Sequence, residues 1–238
     1  MTETLYSIAK MIDHSLLVPT MTDQELIDGC LLAARYHTAS VCIKPYAVAL
    51  AKEILKDSDV AVGSVIGFPH GSSRIEMKLT EAEMALDDGA IELDMVVNVG
   101  KVLSNDWSYV SEEIRRINEL TVSRGALLKV IFETDFVTVD EQKTKLCEIC
   151  SLHAVAFVKT STGFGFVKRE NGLYAYTGAT DYDLALMRKV SAPSVQVKAS
   201  GGVRTLDDVL RVRALGVTRV GATATQAILE EAIKRGFK

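Results

Sequence analysis

The chain has 238 residues, 48% of them hydrophobic, with 27 Lys+Arg against 31 Asp+Glu for a formal net charge of -4. That length suffices for one large core, while the mild negative charge offers no basic stripe for nucleic acid and no apolar run approaches the roughly 20 residues of a membrane span. The opening Met1-Thr-Glu-Thr-Leu-Tyr6 lacks the charged and apolar regions of a signal peptide, so a cytoplasmic protein is expected, with Cys30, Cys42, Cys147 and Cys150 as reduced thiols.

Strand-like and helix-like segments alternate from end to end without a linker or low-complexity break. The pattern predicts a strand over Lys10–His14 and a helix over Asp23–Tyr36, then a strand over Ser40–Ile43 and a helix over Tyr46–Lys56. It continues with a strand over Val60–Ile66 and a helix over Ser73–Asp88, and with Ile91–Val96 followed by Trp107–Arg124. Next come Leu127–Phe132 with Val139–Ser151, Val155–Lys159 with Tyr182–Lys189, Val195–Ala199 with Leu206–Leu215, and Arg219–Gly221 with Ala224–Arg235. Eight strand–helix pairs imply an α/β protein of the (β/α)8 TIM barrel class, with residues 1–238 as a single domain. A doubly wound open sheet is the alternative that the same alternation allows. In a barrel, functional groups gather at the carboxyl ends of the strands.

Charges interrupt these strands. Glu92 and Asp94 in the fourth share a face by the period of two, so both point into the barrel or both point out. Lys129 is embedded in the fifth. The sixth and seventh, Val155–Lys159 and Val195–Ala199, carry Lys159 and Lys198 just ahead of Gly163 and of Gly201-Gly202. Lysines after strands are commonly solvated loop residues. Two on neighbouring strands would instead repel across about 4.8 Å. Repulsion and desolvation both favour loss of one proton, giving a nucleophilic amine that attacks carbonyls. An interior network of Glu92, Asp94, Lys129 and Lys198 would satisfy the buried charges, and an inert ion network is the competing account.

Gly201-Gly202 after the seventh strand and Gly221-Ala-Thr223 after the eighth provide backbone N–H groups where such barrels recurrently bind phosphate, although tight turns also use glycine. His14 beside Asp13 lies at the end of the first strand, and His14 or the following Ser15 could touch substrate or cap a turn. The four histidines show no ligand spacing, and Gly163-Phe-Gly165 does not continue as a dinucleotide fingerprint, so neither metal nor nicotinamide is indicated and no cofactor is expected. Cys147 and Cys150 form a Cys-x-x-Cys inside a helical pattern and read as core packing. Asn171-Gly172 predicts a two-residue type I′ turn, with Phe166 and Val167 pairing across a hairpin with Leu173, Tyr174 and Tyr176 over the mouth of the site.

Several segments together resemble one family. They are Ile12-Asp-His-Ser-Leu-Leu17, Val41-Cys-Ile-Lys-Pro45, Val65-Ile-Gly-Phe-Pro-His-Gly71, Gly89-Ala-Ile-Glu-Leu-Asp-Met-Val96, Leu128-Lys-Val-Ile-Phe-Glu-Thr134, Phe157-Val-Lys-Thr-Ser-Thr-Gly-Phe164 and Val197-Lys-Ala-Ser-Gly-Gly-Val-Arg-Thr205. The chain resembles the deoxyribose-phosphate aldolases, class I aldolases on a (β/α)8 barrel, over nearly its whole length.

The resemblance implies a lyase that reversibly cleaves 2-deoxy-D-ribose 5-phosphate to D-glyceraldehyde 3-phosphate and acetaldehyde. Lys159 would be the Schiff-base lysine, Lys198 the second lysine that depresses its pKa, and Asp94 the carboxylate of the proton relay. Gly163, Gly201, Gly202, Arg204, Gly221 and Thr223 would surround the phosphate, with Asp13, Ser15, Cys42 and Lys129 as candidate substrate contacts. The expected partner is a small phosphosugar, without nucleic acid or membrane, and a homo-oligomer is allowed for. A Schiff-base aldolase acting on another hydroxyaldehyde and a non-catalytic phosphosugar-binding barrel are the alternatives. Many members carry two serines after the last glycine, where this chain has Thr223 and Ala224 beyond Gly221-Ala222. Some end in a tyrosine that reaches the site, whereas this chain ends Gly236-Phe-Lys238, and its Gly165 to Gly178 segment is longer than usual for the family.

Overall fold

Alternating apolar residues along short strands force a surface that must be covered on its outer side, and the chain meets that need by closing a cylinder. The computed structural model describes residues 4–238; Met1 to Glu3, part of the opening read above, lie outside the described residues. The strands are β1 (Ile12–Leu16), β2 (Ser40–Ile43), β3 (Ala61–Ile66), β4 (Glu92–Val96), β5 (Leu127–Ile131), β6 (Phe157–Lys159), the short β7 (Val167–Lys168) and β8 (Tyr174–Ala175), then β9 (Gln196–Ser200) and β10 (Arg219–Ala222). All except β7 and β8 form a closed barrel of parallel strands in the order β1-β10-β9-β6-β5-β4-β3-β2. The pairing of Ile12 with Val220 and of Asp13 with Gly221 closes the ring and excludes the open sheet.

Around it lie α1 (Leu5–Ala9), α2 (Asp23–Tyr36), α3 (Val48–Ile54), α4 (Ile75–Asp87), α5 (Val99–Leu103), α6 (Trp107–Ser123), α7 (Asp140–Leu152), α8 (Asp181–Val190), α9 (Leu206–Ala214) and α10 (Thr225–Lys234). Local chemistry sets their starts. Thr22 accepts from the Glu25 amide while Glu25 returns a bond to Thr22, and Thr205 and Asp208 repeat this reciprocal cap at the head of α9. Among the described residues no helix is long and apolar enough to cross a membrane.

The predicted elements are recovered with shifted ends, and two short helices, α1 and α5, add to them. The first strand begins at Ile12 rather than Lys10. A Thr4–Ser7 capping box opens α1, Lys10 becomes its C-cap, and the Lys10 ammonium donates to the Thr38 and Asp59 carbonyls. The helix expected from Tyr46 starts with a 3-10 turn at Pro45–Ala47 before α3.

The main apolar core lies between barrel and helices. Outward residues such as Ile12, Val41, Leu93, Val130, Val158, Val197 and Val220 pack there against Leu26, Ile114, Leu184, Val209 and Ile228. Cys147 and Cys150 are buried in the same layer, where burial pushes both thiols up, so the Cys-x-x-Cys is packing material as expected. Their inward neighbours are different in kind. Asp13, Ser40, Glu92, Asp94, Lys129, Lys159 and Lys198 are all buried, and the barrel interior is polar and ionic.

Candidate active site

Period two along each strand decides which charges enter the barrel. Glu92 and Asp94 on β4, left open between the two faces by sequence, both point inward. Lys129 of β5 is paired in register with Asp94, Lys159 of β6 with Lys198 of β9, and Lys198 in turn with Arg219 of β10. The two lysines expected on neighbouring strands are therefore side by side.

Asp94 stands at the centre. Its Oδ1 accepts from Lys129 Nζ at 2.8 Å, and its Oδ2 accepts from both Lys159 Nζ and Lys198 Nζ at 2.7 Å. The two ammonium sites are thus no farther apart than twice that distance. Lys198 also donates to Asp13 Oδ2 at 2.5 Å, while Lys129 donates to Glu92 Oε2 at 2.6 Å. Arg219 lies beneath, its guanidinium reaching Asp13 Oδ1 at 2.5 Å and Glu92 Oε2 at 3.1 Å. The expected network of Glu92, Asp94, Lys129 and Lys198 is present, enlarged by Asp13, Arg219 and Lys159.

Charge counting then matters. The carboxylates Asp13, Glu92 and Asp94 face the cations Lys129, Lys198, Arg219 and Lys159, so three negative charges meet four positive sites. Burying an unmatched ion is costly, and the relief is loss of one proton. Arginine keeps its proton. For Lys129, burial is outweighed by Asp13, Asp94 and Glu92, and its pKa rises; for Lys198, burial is outweighed by Asp13 and Asp94. Lys159 has a single carboxylate partner. Burial, joined by the adjacent Lys198, outweighs the opposing pull of Asp94 and Cys42 and holds its amine below the usual lysine range. Asp13 and Asp94 remain ionised, since the surrounding cations overcome the burial that would raise them.

Above this layer opens a cavity of about 300 Å³. Lys159, Lys198, Asp13, Ser15 and Cys42 line it together with Gly163, Gly201, Gly202, Arg204, Gly221 and Thr223. Gly163, Gly201 and Gly202 all adopt positive φ, at 85°, 83° and 89°. Gly201 also lies against Gly178, where a Cβ on Gly178 would come within 2.5 Å of the Gly201 carbonyl oxygen, so only bare backbone fits that contact. Cys42 has its thiol pushed up to about 11, first by burial and then by Asp94, so it stays protonated at neutral pH.

Three expectations are placed differently by the structure. Asp94 and Lys129 lie under the cavity, not on its wall, and the Lys129 ammonium is occupied by Glu92, Asp94 and Asp13. His14 faces out of the barrel, where its Nδ1 lies 2.8 Å from Thr225 Oγ1 and burial lowers its pKa to about 4; the alternation that turns Asp13 and Ser15 inward turns His14 away. The hairpin forms from β7 and β8 with Val167 opposite Ala175, but its turn is not type I′. Asn171 lacks the positive φ that such a turn requires, while Gly172 has φ 80°, and the Gly172 amide donates to the Arg169 carbonyl. This is a three-residue loop ending in a glycine bulge.

The hairpin nevertheless reaches the site. Tyr176 joins the cavity wall, packs edge-on against Phe166 with ring centroids 5.4 Å apart, and its Oη accepts from the Arg204 guanidinium at 3.1 Å. Asp135 clamps the hairpin's base by accepting from the Thr177 and Gly178 amides at 2.5 and 2.9 Å.

Sequence reasoning passed over Arg219, Glu133 and Ser200 as site residues, and gave Tyr176 only a pairing role in the hairpin over the mouth. Arg219 was detectable as a charge two residues before Gly221 on an inward-facing strand. Glu133 follows β5 at φ 56°, fully buried, and accepts from the Thr162 amide and hydroxyl; burial raises its pKa despite those bonds. Nothing in the sequence marks its backbone conformation.

The chain as a whole matches known proteins. The DeoC/LacD family of aldolases matches residues 7–228. The chain is similar to the deoxyribose-phosphate aldolase of Rhodopirellula baltica, 48% identical over 230 residues, which is 97% of this chain and 91% of that one. It is also similar to that of Caldanaerobacter subterraneus subsp. tengcongensis, 45% identical over 236 residues, covering 99% of this chain and 97% of the relative. Among solved structures, a deoxyribose phosphate aldolase from Aeropyrum pernix, described as a tetramer, superposes with a TM-score of 0.85 at 28% identity, covering 97% of this chain and 92% of that one.

Proposed function

The chain belongs to the DeoC/LacD family of aldolases, and we propose that its reaction runs through a Schiff base on Lys159. It is a lyase that cleaves 2-deoxy-D-ribose 5-phosphate reversibly to D-glyceraldehyde 3-phosphate and acetaldehyde. The observation that carries the lysine assignment is the surplus cation. With four positive sites on three carboxylates, the one on the cavity wall with a single partner is Lys159.

The neutral Lys159 amine attacks C1 of the open-chain aldehyde, and loss of water gives an iminium. That cation draws the electrons of the C2–C3 bond as the C3 hydroxyl gives up its proton. The bond must be C2–C3, because the products carry two and three carbons. Glyceraldehyde 3-phosphate leaves, the remaining enamine takes a proton at C2, and water releases acetaldehyde from Lys159. Asp94, sharing one oxygen between Lys159 and Lys198, relays protons through them and through water above them. Its carboxyl, held below the usual range, passes a proton on without storing it. The amides of the glycine turns with Arg204 and Thr223 take the phosphate, supported by their place on the wall of the cavity that Lys159 borders.

We place the enzyme in the cytoplasm, as a homo-oligomer acting on a small phosphosugar and not on nucleic acid. Its free, buried cysteines, its net charge of -4 and the tetrameric Aeropyrum relative support this reading. The test is a product assay on deoxyribose 5-phosphate together with borohydride reduction in acetaldehyde. Expected are glyceraldehyde 3-phosphate and a reduced two-carbon adduct on Lys159, both lost in Lys159→Arg, since a guanidinium does not form the imine at neutral pH. Product formation with an adduct on Lys198, or with none, would overturn the assignment.

A further inference from the structure

Four buried side-chain polar atoms lack a hydrogen-bond partner among the described residues, and of these only the Ser200 Oγ belongs to a residue that lines the cavity. The hydroxyl is not needed to hold its strand. The Ser200 amide donates to Thr160 Oγ1, and Thr160 Oγ1 donates to the Ser200 carbonyl, both at 3.0 Å, so the backbone is satisfied independently. Space for the hydroxyl comes from the neighbouring strand. A Cβ on Gly221 would fall 2.5 Å from Ser200 Oγ, so glycine there leaves the hydroxyl its room. A buried hydroxyl with no protein partner lowers stability and is uncommon unless a ligand completes it.

Its height in the barrel says which ligand atom. Lys198, Ser200 and Gly202 are alternate residues on one wall, and at about 3.3 Å per residue Ser200 lies roughly 6.6 Å beyond Lys198 toward the glycine turn. A sugar bound covalently at Lys159, level with Lys198, and by its phosphate at Gly201–Gly202 must run its middle carbons past Ser200. The C3 hydroxyl belongs to the lysine layer, where it loses its proton. The remaining free hydroxyl is on C4. We infer that Ser200 is a specificity-determining residue whose hydroxyl hydrogen-bonds the C4 hydroxyl of the bound sugar, an inference that rests on the phosphate occupying the glycine turns as proposed above. A serine hydroxyl suits this because it both donates and accepts.

The experiment crosses Ser200→Ala with two substrates, deoxyribose 5-phosphate and its analogue lacking the C4 hydroxyl, and adds unphosphorylated deoxyribose as a control. Expected is a roughly two- to tenfold fall in kcat/KM for deoxyribose 5-phosphate, the worth of one neutral hydrogen bond, with the C4-deoxy analogue unaffected. The melting temperature does not fall, since an unpartnered buried hydroxyl is being removed, and the preference for phosphorylated sugar stays unchanged. Equal losses on both phosphorylated substrates, or no loss on either, would overturn the role of Ser200. Absence of any phosphate preference in the wild type would instead overturn the phosphate reading, and the Ser200 cycle, which compares only the presence of the C4 hydroxyl, would still read its own answer.

Discussion

Lys78 and Lys159 are both buried, each has its ammonium 2.7 Å from a carboxylate oxygen, and each is held below the ordinary lysine pKa, first of all by burial. They sit on opposite sides of the barrel wall. Lys78 of α4 donates to Glu113 of α6 and to the Val96 carbonyl, and the second oxygen of Glu113 accepts from the Asn98 amide. One cation meets one carboxylate, no cavity reaches either among those described, and the pair fixes the turn that leaves β4. Inside the barrel, four cations share three carboxylates, and Lys159 borders open space. A depressed pKa therefore does not by itself mark a nucleophile. Imbalance of charge and access to a cavity do.

The comparison breaks most visibly at Asp94. Asp94→Asn keeps the shape and removes the central charge, leaving two carboxylates against four cationic sites. Lys159 then has even less reason to hold a proton, so borohydride should still trap the acetaldehyde adduct. Carbon–carbon cleavage should slow by about 10²–10⁴-fold, the usual worth of a positioned proton-transfer group. Loss of trapping in a folded protein would make Asp94 a requirement for imine formation instead.

Glu113→Gln probes the balanced pair. Leaving Lys78 buried without its counter-charge should cost about 3–5 kcal/mol of stability, as breaking one side of a buried ion pair does, measured by urea unfolding at neutral pH. The pH dependence of kcat/KM should not move. If the pH profile shifts with Glu113, the two clusters are one electrostatic system and the contrast drawn between them is lost.

How much of this could be read from residues alone follows from the kind of signal each feature leaves. The barrel was legible because apolar period two and period 3.6 alternate through the chain, and because Lys159 and Lys198 each follow an apolar run on strands that prove to be neighbours in register. The inward set of charges on β4 was legible as a shared face, though not which face, since only ring closure defines inside and outside. Arg219 was missed because a charge at the first residue of a strand looks like a solvated end; its burial depends on the depth of the barrel, a property of all eight strands together. The hairpin turn was misassigned because Asn-Gly suits both a type I′ turn and a type I turn with a glycine bulge, and the choice lies in the φ of Asn171. Ser200 is a small polar residue like many others in the sequence, and only the missing partner in three dimensions distinguishes it.

The finest test separates burial from like charge as causes of the lowered Lys159 pKa. Lys198→Leu removes the second ammonium while filling its space with an apolar side chain, so the desolvation of Lys159 is kept or increased. Two effects then act in one direction. The repulsion that favours neutral Lys159 disappears, and Asp94 and Asp13, freed from Lys198, leave more negative charge for Lys159 to answer. Both raise its pKa. The free amine then exists only at higher pH, so the rising limb of kcat/KM, and of borohydride trapping measured alongside, should move upward by about 1–3 pH units, the range a close charge commands. Trapping isolates the amine from any effect of Lys198 on later proton transfers, which would change the height of the profile without moving its limb. A limb that stays in place would leave desolvation as the sole cause, and Lys159 would then differ from Lys78 by its access to the cavity alone.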